Sequence, residues 1–157
     1  MQYNLKRVPV LTVLKSRSNK ETVAIGYRIG KSLMPGMVVG LTGKLGVGKT
    51  TLVKGIAGAL GIDAEITSPS FTIVSQYLSP SGVELIHIDL YRTNYIRELE
   101  EIGLEEIINR PGSAGAGIAV IEWSERASPF IPQESIIVLI VLEQDGTRRI
   151  HIKGLEL

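Results

Sequence analysis

The residues with the clearest chemical spacing are Gly43-Lys44-Leu45-Gly46-Val47-Gly48-Lys49-Thr50, which fit G-x-x-x-x-G-K-[ST], a phosphate-binding loop. Glycines let the backbone turn where side chains would clash, so successive N–H groups point inward at a phosphate. Lys49 adds a positive charge within reach of β- and γ-phosphates, and Thr50 offers a hydroxyl to Mg²⁺. The positive end of the following helix dipole points at the same place. The pattern predicts a nucleoside-triphosphate site built from Gly43, Lys44, Leu45, Gly46, Val47, Gly48, Lys49, Thr50 and Thr51.

Mg²⁺ on a nucleotide needs hard oxygen ligands, including a nearby carboxylate. Two carboxylates close apolar runs: Asp89 ends Glu84–Asp89 and Glu122 ends Ile118–Glu122. C-terminal strand ends are where open α/β sheets bind ligands. A strand-end acid in an arbitrary protein is usually solvated or caps a turn, but an upstream phosphate loop reverses that expectation. Glu122 has the cleaner metal-ligand setting. Asp89, followed by Leu90-Tyr91-Arg92, reads as a switch element.

Other candidates carry less. His87, two residues before Asp89, reads as a packed or surface histidine more than as a base. Trp123, the single tryptophan, either stacks on a ligand or fills the core. Arg92 is a candidate partner for a phosphate or a carboxylate. Arg148 and Arg149 are expected on the surface of a terminal strand.

The elements that must position these residues follow from pattern. Met37–Thr42 reads as a buried strand leading into the loop, and Thr51–Leu60 as the helix leaving it, with Gly61 at its C-terminal cap. Val8–Leu14 is strand-like. Ser18-Asn19-Lys20-Glu21 is a capping box that opens a helix with Thr22, Ile25, Ile29 and Leu33 on one face, stopped by Pro35-Gly36. A polar loop spans Ile62–Ser70. Phe71–Tyr77 and Val83–Leu90 form a hairpin around Ser79–Gly82. Arg97–Asn109 is expected to be one amphipathic helix that Gly103 could interrupt, followed by a flexible loop over 111–117. Ile136–Leu142 and Arg148–Ile152 flank Asp145-Gly146, a strong hairpin signal. Together these predict one α/β domain over residues 1–157. Its sheet is mixed and mostly parallel, with helices on both faces and antiparallel hairpins at the edges.

Composition narrows the classes. The chain has 157 residues and a net charge of +1, so bulk electrostatics draw it to neither nucleic acid nor membrane. It has no cysteine, which excludes disulfides and thiolate metal sites. The first residues are too polar for a secretory signal and no apolar run is long enough to span a bilayer, so a cytoplasmic protein is expected. No N-K-x-D motif marks guanine selection, no L-S-G-G-Q marks a transporter ATPase, and no Arg-rich lid marks a small-molecule kinase.

The motifs in order resemble the bacterial TsaE (YjeE) family. Gly43–Thr51 is similar to its G-D-L-G-A-G-K-T-T loop and Ser68-Pro69-Ser70-Phe71-Thr72 to its S-P-T-F/Y-T segment. His87–Arg92 resembles H-x-D-L-Y-R. Glu98-Leu99-Glu100 with Gly103 resembles E-E-L-x-x-x-G, and Ile121-Glu122-Trp123 resembles V-E-W. The resemblance runs from about Ser16 to Arg126.

It implies a Mg²⁺-dependent ATPase required for threonylcarbamoyladenosine modification of tRNA at position 37. Such an ATPase acts on the TsaD–TsaB complex and meets tRNA only through it. Carried over by residue, Lys49 and the loop backbone bind the phosphates of ATP, and Thr50 and Glu122 hold Mg²⁺. Asp89 places water or the metal shell, and Ser68–Phe71 forms the other switch. Trp123 lies beside the site, and Ser16–Thr22 borders the adenine. Lys44 stands where the family has Asp, Val47 where it has Ala and Ser70 where it has Thr. The rival readings are a free-standing kinase of a small metabolite and a nucleotide-dependent binding module without significant turnover.

Overall fold

The computed structural model describes residues 10–68, 72–109 and 117–157. The elements are β1 (Leu11–Ser16), α1 (Asn19–Ser32), β2 (Val38–Thr42), α2 (Lys49–Ala59), β3 (Val74–Leu78) and β4 (Glu84–Asp89). They continue as α3 (Ile96–Glu101), α4 (Leu104–Ile108), β5 (Ile118–Glu122), 3-10 turns over Ser124–Phe130, β6 (Ile136–Leu142) and β7 (Arg148–Lys153). The strands form one seven-stranded sheet in the order β1-β7-β6-β2-β5-β4-β3. β6, β2, β5 and β4 are mutually parallel, and the antiparallel pairings β1–β7, β7–β6 and β4–β3 lie toward the edges. The mixed α/β architecture expected from the sequence is the one found.

Alternation along the central strands supplies two cores. Ile118 and Val120 of β5 face α1 and α2 with Val39, Leu41, Leu52 and Ile56. Ala119 and Ile121 face α3, α4 and the 3-10 turns with Ile88, Leu90, Leu99 and Leu104. Strands buried on both faces read as continuous apolar runs, which is why β2 and β5 were so legible.

The capping box works as expected: Ser18 Oγ accepts from the Glu21 N–H at 3.1 Å. α1 then crosses α2 at backbone contact. A Cβ on Gly26 would lie 2.1 Å from the Leu52 carbonyl oxygen, and one on Gly55 would lie 2.1 Å from that of Val23. Only glycines permit this approach, and it seats α1 firmly against the helix that carries Lys49 and Thr50.

Several boundaries differ from the sequence reading: the strand expected over Phe71–Tyr77 is Val74–Leu78, and the helix expected over Thr51–Leu60 already begins at Lys49. The single helix expected over Arg97–Asn109 is two short ones, because Gly103 sits in the left-handed region at φ 69° and ends the first run. The first strand runs Leu11–Ser16, later than expected, and the Val8 and Pro9 of that expectation lie outside the described residues. So do Pro69, Ser70 and Phe71 of the second switch and most of the 111–117 loop. Among the described residues no helix is long and apolar enough to cross a membrane.

Candidate functional site

Parallel pairing brings the C-terminal ends of β2, β5 and β4 together. Leu41 lies beside Glu122, and Glu122 beside Asp89, in the sheet register. The chain leaves β2 directly into the Gly43–Thr50 loop, so residues far apart in sequence share one rim. Gly43 at φ 142° and Gly48 at φ 115° take turns that side chains disfavour, and Gly48 delivers the chain into α2.

The loop ends on two groups with well-defined partners. Thr50 Oγ1 donates to Glu122 Oε1 at 2.8 Å. The Lys49 amine donates to the carbonyls of Gly43 at 2.7 Å and Lys44 at 2.9 Å, and lies 4.1 Å from the Trp123 ring centroid. Lys49 is only 4% exposed. Burial holds its pKa below the ordinary 10.5, against the attraction of Glu122, Glu125 and Asp89.

Glu122 is itself fixed from a second side. His87 Nε2 lies 2.8 Å from the same Oε1, and the His87 ring is fully buried. Its Nδ1 is buried without a partner among the described residues. An N–H left there would be costly, so we assign the proton to Nε2, which donates to the carboxylate. The packed-histidine expectation holds, and the ring's role is to orient Glu122.

Asp89 is held by the turn that follows it. Its Oδ1 accepts from the Tyr91 N–H at 3.0 Å and its Oδ2 accepts from Ser68 Oγ. The Leu90 N–H donates to the Glu122 carbonyl at 3.2 Å, which ties the two acid-bearing strand ends. Tyr91 and Trp123 stack in a tilted pair, centroids 5.3 Å apart. Trp123 packs on the second core, which bears out the core-filling reading, and it also lines the cleft. At φ 59° it is the one non-glycine in the left-handed region among the described residues, a strained position for a bulky side chain.

These groups surround a cleft of about 310 Å³ lined by Gly46, Gly48, Lys49, Thr50, Thr51, Ser68, Asp89, Tyr91, Glu122 and Trp123, among others. A larger hollow of about 420 Å³ lies at the opposite end of the sheet, where Glu134 is the only charged residue among the described lining residues. Chemistry rather than size selects the first. Among the described residues no three carboxylates or histidines gather into a complete metal cage. Thr50 and Glu122 offer the partial oxygen set suited to a cation that keeps waters and phosphate oxygens as its other ligands.

Two arginines correct the sequence reading. Arg148 is not a mere surface residue: its Nε donates to the Val47 carbonyl at 2.8 Å and its Nη2 to Asn19 Oδ1 at 3.0 Å. It braces the loop against the start of α1. Arg92 is exposed, whereas Arg126, which the sequence did not single out, donates to the carbonyls of Leu90, Tyr91 and Thr93. No motif marked it; its position four residues after Glu122 was the only signal. Ser16 and Thr22 are fully buried and bonded to each other at 2.7 Å, so in the 16–22 segment only exposed residues such as Asn19 face outward.

This geometry agrees with comparison to known proteins. The family model for the threonylcarbamoyl adenosine biosynthesis protein TsaE matches residues 16–150. The chain is 38% identical to the tRNA threonylcarbamoyladenosine biosynthesis protein TsaE of Treponema pallidum, over 87% of this chain and 96% of that protein. It is 37% identical to the protein of the same name from Bacillus subtilis, over 83% of this chain and 78% of that one. The crystal structure of Bacillus subtilis YdiB superposes with a TM-score of 0.76 at 30% identity, covering 94% of this chain and 88% of that chain. With the family model spanning the phosphate loop and both acids and ending inside the last strand, the chain belongs to the TsaE family.

Proposed function

We propose that the protein is a Mg²⁺-dependent ATPase that supports threonylcarbamoyladenosine modification of tRNA at position 37. It works in the cytoplasm on a complex of TsaD and TsaB and meets tRNA only through that complex. The observation that carries this reading is the 2.8 Å bond between Thr50 and Glu122 at the mouth of a glycine-rich loop that also presents Lys49. The loop N–H groups from Gly43 to Thr51 would receive the phosphates of ATP. The Lys49 amine, now turned onto its own loop carbonyls, would be drawn to the β- and γ-phosphates. Thr50 and Glu122 would hold Mg²⁺, which when bound neutralises charge developing on the phosphates. Asp89, fixed by the Tyr91 N–H, would orient the attacking water. Trp123 and Tyr91 would wall the site from solvent.

Lys49 is the only cation among the described residues lining the cleft. Phosphoryl transfer usually draws on one more, often an arginine worth ~10³–10⁵ in rate. Arg126 is committed to main-chain carbonyls, Arg148 to the Val47 carbonyl and Asn19, and the exposed Arg92 does not line the cleft, so the isolated chain is a slow enzyme that a partner completes. The test is ATP turnover with and without TsaD–TsaB. A self-sufficient kinase would instead transfer phosphate to an added acceptor without partners, and a binding module would show no turnover even in the complex.

A further inference from the structure

The Arg126 guanidinium links the two strand ends that carry the site's acids. Its Nη1 donates to the carbonyls of Leu90 at 3.0 Å, Thr93 at 2.9 Å and Tyr91. All three carbonyls belong to the turn that begins just after Asp89. Its Cζ also lies 4.9 Å from the Trp123 ring centroid and 5.9 Å from that of Tyr91. Trp123 directly follows Glu122. Three carbonyl dipoles converging on one point repel one another unless a cation holds them. Arginine suits this because its charge is permanent and its planar head both stacks and donates.

Arg126 does not line the nucleotide cleft. It borders a separate hollow with Thr93, Asn94, Tyr95, Ile96 and Leu99. It therefore stands behind Trp123 and Tyr91 and acts through them. We propose that Arg126 is a positioning residue for ATP turnover: it holds the 90–93 turn against Trp123 and so fixes Asp89 relative to Glu122. This rests on the ATPase reading.

The test compares wild type, Arg126→Ala and Arg126→Lys in the full chain with TsaD–TsaB. Turnover, ADP affinity read from the fluorescence of Trp123, and amide hydrogen exchange of residues 90–94 are measured together. Arg126→Ala is expected to lower kcat by about 10–100-fold, the cost of a misplaced catalytic group. ADP affinity should change less than about threefold, because Arg126 stands outside the binding cleft, and exchange over 90–94 should accelerate. Arg126→Lys keeps the charge without the planar fork and should recover part of kcat. A purely structural role would instead lower thermal stability, affinity and kcat in step, with no rescue by Lys. That pattern, or unchanged kcat in Arg126→Ala, overturns the proposal. If wild type itself does not turn over ATP, the ATPase reading falls separately. Exchange over 90–94 then still decides whether Arg126 holds the turn, and unchanged exchange overturns that.

Discussion

Thr50 and Glu122, 72 residues apart, meet through a hydrogen bond of 2.8 Å at the point where the phosphate loop enters α2 and β5 ends. Everything else in the site is arranged around that contact. Lys49 directly precedes Thr50 in the loop, the buried His87 holds the same Glu122 oxygen, and Asp89 sits beside Glu122 in the sheet register.

Removing the loop cation should separate function from fold. Lys49→Ala is expected to abolish hydrolysis and weaken nucleotide binding while circular dichroism matches wild type, since the amine's hydrogen-bond partners are carbonyls of its own loop and not of the sheet or helices. Unchanged turnover would contradict the phosphate-loop assignment.

The metal role of Glu122 is best tested with a substitution that keeps its hydrogen bonds. Glu122→Gln can still accept from Thr50 and His87 but loses the charge. The Mg²⁺ concentration for half-maximal turnover is expected to rise by about tenfold or more, and His87→Leu should raise it by about 10–100-fold through loss of the orienting partner. Glu100→Ala, on α3, should leave it alone. Equal Mg²⁺ demand in wild type and Glu122→Gln would move the role to Asp89.

Lys49 also gives the site a pH dependence. A phosphate favours the charged amine, so affinity is complete below the Lys49 pKa and declines as pH rises through it. Because burial lowers that pKa in the free protein, the decline should begin below pH 10.5. Lys49→Arg, always protonated, should shift it away. The stability contribution runs the other way. The folded chain releases this proton more readily than the unfolded one, so stability attributable to Lys49 rises with pH between the lowered value and 10.5. ADP titrations across the alkaline range check the first statement, and an affinity that holds steady up to pH 10.5 would contradict it.

The α1–α2 crossing makes a paired stability prediction. Gly26→Ala puts a methyl 2.1 Å from the Leu52 carbonyl and should destabilise by about 1–3 kcal/mol or more. Gly58→Ala, in the same helix pair, meets only Tyr27 Cδ2 at 3.9 Å and should stabilise by about 0.4–1 kcal/mol. Denaturant unfolding of both variants decides it, and equal effects would mean the helices do not cross at these glycines.

Much of this arrangement was legible from residue types. The phosphate loop, Asp89 and Glu122 each sit where an apolar β-branched run stops, and such runs announce buried parallel strands. The hairpins were marked by Ser79–Gly82 and Asp145-Gly146, whose Gly82 and Gly146 have φ of 87° and 82°. What the sequence hid was long-range. Nothing local says that Arg148 of β7 would reach the Val47 carbonyl, because that depends on β7 lying two strands from β2. Arg126 was equally silent, since its partners are backbone carbonyls and carbonyls leave no trace in sequence. Gly103 was visible as a break, but only its left-handed conformation made two helices of one.

The most direct measurement is ATP turnover by the purified chain, alone and after addition of TsaD–TsaB. Slow phosphate release is expected from the chain alone, because Lys49 is the sole cation among the described residues lining the cleft. Clear stimulation is expected in the complex, up to ~10³-fold or beyond if the partner contributes an arginine. Fast turnover by the isolated chain, unchanged when the complex is added, would contradict both expectations.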